Sequence, residues 1–392
     1  MELPSYLKQL ILLGRMKKRW WLFRPVDLFI SLCSPKKQKQ GLLIVRMDGL
    51  GDMVLFRRAL ERYPKIFNLK KEEITILGCD SWKSVATDIF KGYNVKTIDE
   101  KSFEKNPFYR FMISFWVKRQ GFKIAVCDTF FRKTLTADSL ILASGADQKI
   151  VSRPYISKKN KAEFSYYLPK YEKVISTGKH PLHEIVRHYN FLSKLSSKKI
   201  HPDQPVISWR EKKPPIPKGR SFVVINFGSN EPGRNWPLEN FLDIAKKIID
   251  LGYRVIFVGS ENERKDKSVI NGVFGKADFV DLIDKTSLPQ LFDTIKHAKA
   301  LVTNETGPGH MSIALGIPTL MIYGGGHDTT FVPYPRKLKP RNALFINHYM
   351  SCYQCLWSCP YRKSKLDPFP CIEKVDQEKV WKSLKNFLPK AN

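Results

Sequence analysis

A carboxylate and a guanidinium, Asp52 and Arg234, are the side chains in this sequence best suited to proton transfer and to phosphate binding. Asp52 closes the segment RMDGLGD, in which Gly49 and Gly51 permit a tight turn and the close approach of another molecule. Asp52 is predicted to begin a helix, whose dipole favours the ionised carboxylate. Two interpretations follow: Asp52 caps the helix, or it is a general base that takes a proton from an attacking hydroxyl.

The segment GSNEPGRNWP, residues 228–237, is predicted to be a strand–helix loop that binds an anion. Ser229 and Asn230 offer hydrogen bonds, and Arg234 offers a planar cation that grips a diphosphate through paired bonds. The alternative is an ordinary connecting loop. Trp236 is predicted to lie in the core under either interpretation.

The segment NETGPGHMSIALGIP, residues 304–318, predicts a polar loop followed by a helix whose N-terminus attracts phosphate. The carboxylate in this loop is predicted to accept hydrogen bonds from ribose hydroxyls, and the residues after it are predicted to face the phosphates or to let them approach the backbone. The predicted nucleotide-binding residues here are Glu305, Thr306, Gly307, Gly309 and His310. The loop 323–329 that follows the next strand either closes over the nucleotide or is a flexible turn.

Four of the seven cysteines cluster near the C-terminus. Their spacing suits a tetrahedral structural site for zinc or iron, and two disulfides or four reduced thiols are the alternatives. The four predicted ligands are Cys352, Cys355, Cys359 and Cys371. The other three cysteines lie singly among apolar residues, which is typical of reduced core thiols and favours a reducing compartment.

Strands that alternate with helices are predicted to position these segments. The apolar runs Gly41–Arg46, Phe222–Asn226 and Ala300–Thr303 each end just before one of the first three segments, and parallel sheets bind ligands at the carboxyl ends of their strands. The fold class is therefore predicted to be α/β with two Rossmann-like domains. The predicted organisation is a basic amphipathic segment (1–40), an N-terminal domain (41–205), a proline-rich linker (206–220), a C-terminal domain with the cysteines (221–375) and a terminal helix (376–392).

Charge is the unusual feature of the composition. The chain has 67 Lys and Arg against 37 Asp and Glu, a formal net charge of +30, which favours an anionic partner, although solubility alone is the alternative. In residues 1–40, Trp and Leu are interleaved with basic residues, and the apolar runs are too short to span a bilayer. This pattern predicts either binding to an anionic membrane surface or a helix packed on the domain. No nucleic-acid module is recognisable.

The three segments around Asp52, Arg234 and Glu305 together resemble glycosyltransferase family 9, the ADP-heptose:lipopolysaccharide heptosyltransferase family. The resemblance runs from about Gly41 to the C-terminal helix and is strongest at RMDGLGD, GSNEPGRNWP and NETGPGHMSIALGIP. It implies a GT-B fold, inverting transfer with no catalytic metal or cofactor, and a nucleotide sugar held mainly by the C-terminal half. It also implies that Asp52 is the catalytic base and that Arg234, where many members have Lys, contacts donor phosphate. Glu305 stands where the family usually has Asp.

The expected function is transfer of a sugar, heptose from ADP-heptose, onto a lipopolysaccharide-core or related bacterial surface glycan. Arg187 is expected among the basic residues that meet phosphates of a lipid-linked acceptor. The expected location is cytoplasmic, at the inner face of the cytoplasmic membrane, with no nucleic-acid partner. The alternatives are a sugar-nucleotide epimerase of GT-B fold and a non-catalytic protein that binds anionic lipid or nucleic acid.

Overall fold

The computed structural model describes residues 14, 16, 18–36, 38–216, 219–275, 278–365 and 367–389. The chain divides into two compact units. The first unit contains Met1–Gly49, Ala59–His180 and Val186–His201, and the second contains Leu50–Arg58, Pro181–Ile185 and Pro202–Asn392. Much of the predicted membrane-binding segment, residues 1–13, 15, 17 and 37, lies outside the described residues.

The first unit is built on a six-stranded parallel sheet in the order β3-β2-β1-β4-β5-β6. Its strands are β1 Gln40–Arg46, β2 Ile74–Cys79, β3 Asn94–Ile98, β4 Phe122–Cys127, β5 Gln148–Ser152 and β6 Lys173–Ile175. The central strand β1 is apolar without interruption because both of its faces are covered, and Leu42 and Val45 are fully buried.

Helices alternate with these strands along the chain, and most of the second helix belongs to the second unit. In chain order they are α1 Lys18–Leu32, α2 Leu50–Leu60, α3 Tyr63–Phe67, α4 Ala86–Ile89, α5 Glu100–Lys105, α6 Pro107–Gln120, α7 Ser139–Ala143, α8 Lys161–Tyr167 and α9 Glu184–Ser196. Helix α6 begins at a proline, which wastes no amide there, and Asn106 caps it by accepting from the amides of Phe108 and Tyr109. No helix in the described part of the chain is both long and apolar enough to cross a bilayer.

The second unit repeats the arrangement with a parallel sheet in the order β12-β11-β10-β7-β8-β9. Its strands are β7 Phe222–Asn226, β8 Arg254–Val258, β9 Phe279–Asp281, β10 Ala300–Asn304, β11 Thr319–Ile322 and β12 Ala343–Ile346. Its helices are α10 Leu238–Asp250, α11 Lys267–Phe274, α12 Leu288–Lys296, α13 Gly307–Ala314, α14 Pro370–Glu373 and α15 Gln377–Phe387.

The neighbouring strands β7 and β10 bring two of the predicted motifs together. Thr303 pairs in parallel register with Asn226, so the segments that follow these strands leave the sheet at the same edge. Trp236, predicted to be core, is buried beside Phe241 with ring centroids 5.1 Å apart. The prediction of an α/β fold with two Rossmann-like sheets is confirmed.

The alternative interpretation, in which Asp52 caps a helix, is wrong. Helix α2 begins at Leu50, and the capping position is held by the extended residue Gly49, which offers no side chain. Asp52 therefore lies inside the first turn, where the helix dipole still favours its negative charge.

Candidate active site

Glu305, at the end of β10, is the centre of the charged cluster in the second unit. Its side chain is only 9% exposed and forms an ion pair with Nη2 of Arg234, which also donates to the backbone oxygen of Glu305 at 3.0 Å. Nδ1 of His327 lies 2.8 Å from Oε2 of Glu305, and Nε2 of His310 lies 3.8 Å from Oε1. One buried carboxylate is therefore surrounded by three basic side chains.

These neighbours determine the ionisation of Glu305. Burial alone would raise its pKa, but the charges of His327 and Arg234, with hydrogen bonds from His310 and His327, hold the pKa well below its ordinary value. Glu305 is therefore a carboxylate, and it can only accept hydrogen bonds.

His310 is held in place by Tyr334. Nδ1 of His310 lies 2.9 Å from the Tyr334 hydroxyl, and the two rings stack nearly parallel with centroids 5.8 Å apart. Burial raises the pKa of Tyr334, so its hydroxyl stays protonated and can donate to Nδ1. This arrangement turns Nε2 of His310 towards Glu305.

Two buried asparagines fasten the arginine-bearing loop to the loop after β10. The Asn304 side chain accepts from the amide of Trp236 at 3.0 Å and donates to the Phe227 oxygen at 2.6 Å. Asn226 donates to the hydroxyl of Thr303 at 3.0 Å. Because buried polar groups are costly to leave unpaired, these bonds fix Arg234 and Glu305 relative to each other.

The first turn of α13 is close-packed. Thr306 occupies the capping position without a side-chain cap bond, and its hydroxyl lies 3.2 Å from that of Thr303. A Cβ on Gly309 would lie 2.5 Å from Cε of Met321, so glycine at 309 lets the helix pack on β11. The predicted contact of Thr306, Gly307 and Gly309 with a nucleotide stays a prediction.

The glycine-rich turn before Asp52 packs against the same helix within the second unit. A Cβ on Gly51 would lie 3.0 Å from Cδ2 of His310 and 3.6 Å from Cα of Gly307. Asp52 follows directly in the chain and is half-buried. Two motifs that are far apart in sequence therefore meet at Gly51 and His310.

Ser229 and Asn230 line a cavity of about 550 Å³ in the second unit. Trp236, Asn262 and Glu263 also line it. The Ser229 hydroxyl donates to the backbone oxygen of Glu231 at 2.7 Å, while Asn230 is exposed. Their predicted role in nucleotide binding stays a prediction.

Three residues of the cluster were not predicted: His327, Tyr334 and Trp357. The Trp357 ring centroid lies 4.7 Å from Cζ of Arg234 and 5.3 Å from the His327 ring. Only His327 had a sequence signal, since it follows the triple glycine of the loop that was predicted to close over a nucleotide.

The cysteine cluster is not arranged as a metal centre. All seven cysteines are free thiols, so the disulfide alternative is wrong. Within the described ranges no group of three or more His, Cys, Asp or Glu side chains could hold a metal ion. The prediction of zinc or iron at Cys352, Cys355, Cys359 and Cys371 is not supported by this arrangement. Cys371 instead accepts a hydrogen bond from the Gly325 amide at 3.4 Å.

Arg187 is fully buried in the first unit. Its guanidinium donates to the backbone oxygens of Gly178 at 2.8 Å and Lys179 at 3.0 Å, and Cζ lies 3.6 Å from the Phe130 ring centroid. These contacts hold the 178–179 turn. Acceptor binding by Arg187 stays a prediction.

A buried charge network in the first unit supports the strand that leads to Asp52. Arg46, at the end of β1, pairs with Asp128 at 2.6 Å and with Asp48 at 3.0 Å. Nδ1 of His188 lies 2.7 Å from the other oxygen of Asp128. Burial alone would raise the pKa of Asp128, but the charges of His188 and Arg46 hold it below its ordinary range. The network fixes the start of the glycine-rich turn.

Comparison with known proteins assigns the family. The family model for glycosyltransferase family 9 (heptosyltransferase) matches residues 157–357, just over half of the chain. The chain belongs to glycosyltransferase family 9. Among its relatives in the family is lipopolysaccharide heptosyltransferase 2 of Escherichia coli K12, 32% identical over 142 residues, which are 36% of this chain and 40% of that protein. The chain thus spans about two fifths of the length of this relative.

Solved structures of the family share the fold over greater lengths. E. coli ADP-heptose lps heptosyltransferase II aligns with a TM-score of 0.64 and 18% identity, covering 88% of this chain and 98% of that one. E. coli heptosyltransferase WaaC with ADP-2-deoxy-2-fluoro heptose aligns with a TM-score of 0.58 and 15% identity, covering 80% and 96%. The predicted GT-B fold is confirmed.

Proposed function

We propose that this chain is an inverting, metal-independent glycosyltransferase that moves heptose from ADP-heptose onto a lipopolysaccharide-core or related surface glycan. The observation that supports this most directly is the pairing of Arg234 with Glu305 at the adjacent ends of β7 and β10, in a chain of family 9. The choice of donor is supported by the family neighbour that binds an ADP-heptose analogue.

Arg234 is proposed to bind the diphosphate of the donor. Its side chain is 19% exposed, so part of the guanidinium can reach a ligand while Glu305 fixes its orientation. The leaving diphosphate gains negative charge as its bond to the sugar breaks. A preorganised donor at such a position is worth about 3–4 kcal/mol of transition-state stabilisation, and the N-terminus of α13 adds a positive dipole end. Protein cations thus supply the charge that a metal would otherwise supply.

Asp52 is proposed to be the general base. The acceptor hydroxyl attacks the anomeric carbon on the face opposite the diphosphate, and its proton passes to the Asp52 carboxylate. The bond from the sugar to the diphosphate breaks, and its electron pair leaves on the phosphate oxygen. General base catalysis of this kind contributes about 10²–10⁴-fold.

The acceptor is proposed to be a lipid-linked glycan at the inner face of the cytoplasmic membrane. The net charge of +30 supports an anionic partner of this type. Arg187 remains the acceptor residue that the sequence predicted, and no nucleic acid is expected to bind.

The test is transfer by the purified protein with ADP-heptose and a heptose-deficient lipopolysaccharide core. We expect ADP release, a product of inverted anomeric configuration by NMR, and no loss of rate with EDTA. Asp52→Asn should lower kcat by about 10²-fold or more. Asp250→Asn, at an exposed position, should leave kcat unchanged. A saturating nucleotide at 100 times its Kd should add about 2.7 kcal/mol of stability to both variants.

Two outcomes would overturn the proposal. Conversion of a UDP-sugar without any acceptor would show the epimerase instead. Full transfer by Asp52→Asn would remove the proposed base.

A further inference from the structure

The first unit exposes large apolar side chains on two helices. Of the fifteen large hydrophobic residues that are exposed in the described part of the chain, eight lie on α1 and α6. They are Trp21, Leu22, Leu28, Phe29 and Leu32 on α1, and Phe108, Met112 and Phe115 on α6. Such a concentration marks an interaction site, whereas single exposed apolar residues need no explanation.

Helix α1 is apolar on two opposite sides. Phe23 and Ile30 are fully buried, whereas Leu22, Phe29 and Leu32 follow one another at helical spacing on the exposed side, at 57%, 56% and 83% exposure. A helix packed on one apolar side and apolar on the other has surface left for a second apolar environment.

Helix α6 extends the same surface. Phe108, Met112 and Phe115 lie on its exposed side at spacings of four and three residues. Phe111 joins the two helices, since its ring centroid lies 5.9 Å from that of Phe29 and 5.7 Å from that of Phe115. The eight exposed side chains thus form one surface, called here the two-helix face.

The two helices themselves carry several basic side chains and one acid. Arg19 lies near the start of α1, and at the other end the Lys36 amide donates to the Arg119 oxygen at 3.2 Å. The acid within the two helices, Asp27, is turned inward and pairs with Arg110 at 3.2 Å. The rim therefore combines exposed cations with no outward carboxylate from either helix.

We propose that the two-helix face lies on the surface of a bilayer with anionic headgroups. Trp, Phe and Leu side chains enter the boundary between headgroups and acyl chains, and Lys and Arg meet the lipid phosphates. The partner is a lipid surface because both the apolar stripe and the cationic rim are complementary to it. This inference rests on the proposed function, in which the acceptor is lipid-linked. It adds α6, which lies outside the N-terminal segment, to the membrane-binding surface.

The experiment is sedimentation of the full chain with vesicles, without donor or acceptor. We expect binding to phosphatidylcholine mixed with phosphatidylglycerol, weaker binding to phosphatidylcholine alone, and a decrease with salt. Phe29→Glu and Phe108→Glu should each lower the partition coefficient about tenfold or more. The matched controls Val206→Glu and Val269→Glu, at residues 54% and 50% exposed elsewhere, should bind like the wild type.

The fold of each variant is checked by its melting temperature and by its thermal shift with ADP. Equal vesicle binding by wild type, Phe29→Glu and Phe108→Glu would overturn the inference. It would also be overturned if these changes dissociated a dimer and left vesicle binding intact, because the face would then be a contact between copies. Vesicle binding that is lost in the two variants while no sugar is transferred by the wild type would leave the inference standing and remove the proposed function alone.

Discussion

Cζ of Arg234 lies 4.7 Å from the ring centroid of Trp357, which stands between Cys355 and Cys359. The cysteine-bearing segment therefore reaches the proposed phosphate site through an aromatic ring. Glycine is required beside that ring at residue 326, because a Cβ on Gly326 would lie 2.2 Å from Cδ2 of Trp357.

Loss of the Trp357 ring should weaken donor binding. A cation over an aromatic face is worth about 0.5–2 kcal/mol, so Trp357→Leu should raise the Kd for ADP about 2- to 30-fold in a calorimetric titration. Trp381→Leu is the matched control, since that ring, on the terminal helix α15, lies 5.7 Å from Nζ of Lys247 in α10. Equal Kd values for the two variants would show that the ring under Arg234 does not support binding.

The charge of Glu305 should make a pH-dependent contribution to stability. Burial raises its pKa, but His327, Arg234 and two hydrogen bonds lower it well below the ordinary 4.5. A carboxylate with a depressed folded-state pKa stabilises the fold fully above the unfolded pKa, and this contribution is lost as the pH falls through the folded pKa. The difference in unfolding free energy between wild type and Glu305→Gln should therefore shrink as the pH falls below about 4.5.

Urea titrations measure this difference in unfolding free energy. They should run from about pH 3 to about pH 7, a range that brackets the ordinary pKa of a glutamate. Glu373→Gln, at an exposed position, controls for the loss of one carboxylate. A difference that grows on acidification would have the wrong sign for a depressed pKa.

The same substitution, Gly to Ala, should have different effects at two helical positions. Gly272, in α11, has nothing within 4 Å of an added Cβ, so Gly272→Ala should stabilise the protein by about 0.5–1 kcal/mol. Gly51→Ala places its Cβ 3.0 Å from Cδ2 of His310 and should displace that ring. We expect kcat/KM for sugar transfer to fall several-fold in Gly51→Ala and to be unchanged in Gly272→Ala. Equal activity in the two variants would show that a methyl group at residue 51 does not disturb His310.

Removal of one partner from the buried network should be costly. Asp128 is fully buried between Arg46 and His188, and Asp128→Asn leaves Arg46 with a weaker partner in the core. Breaking such a pair costs about 3–5 kcal/mol, measured as the change in unfolding free energy. The exposed pair of Lys39 with Asp147 is the control, and Asp147→Asn should change stability little.

The sequence predicted the central strands most accurately. Phe222–Asn226 was predicted with the observed bounds, because a strand covered on both faces is a continuous apolar run. Strands β5, β6 and β12 and helix α6 were not predicted. Strands β5 and β6 and helix α6 mix polar and apolar residues. Strand β12 is apolar but only four residues long, and its pairing at the sheet edge is not visible in its own sequence.

The site divides in the same way. Asp52, Arg234, Glu305 and His310 belong to local motifs whose loops follow predicted strands, and the last three meet in one cluster. Tyr334 and Trp357 join it from distant segments without a local pattern. Their positions depend on how later loops fold back, which only the tertiary structure reveals.

The assignment of Leu50–Arg58 and Pro181–Ile185 to the second unit has a consequence for biosynthesis. These stretches leave the ribosome long before the strands β7 to β12 with which they are grouped. They therefore cannot make their contacts within the second unit until the C-terminal sheet has been translated. A gene split after codon 201 would leave the C-terminal polypeptide without these two stretches of its compact unit, so activity should return only when the two fragments are produced together.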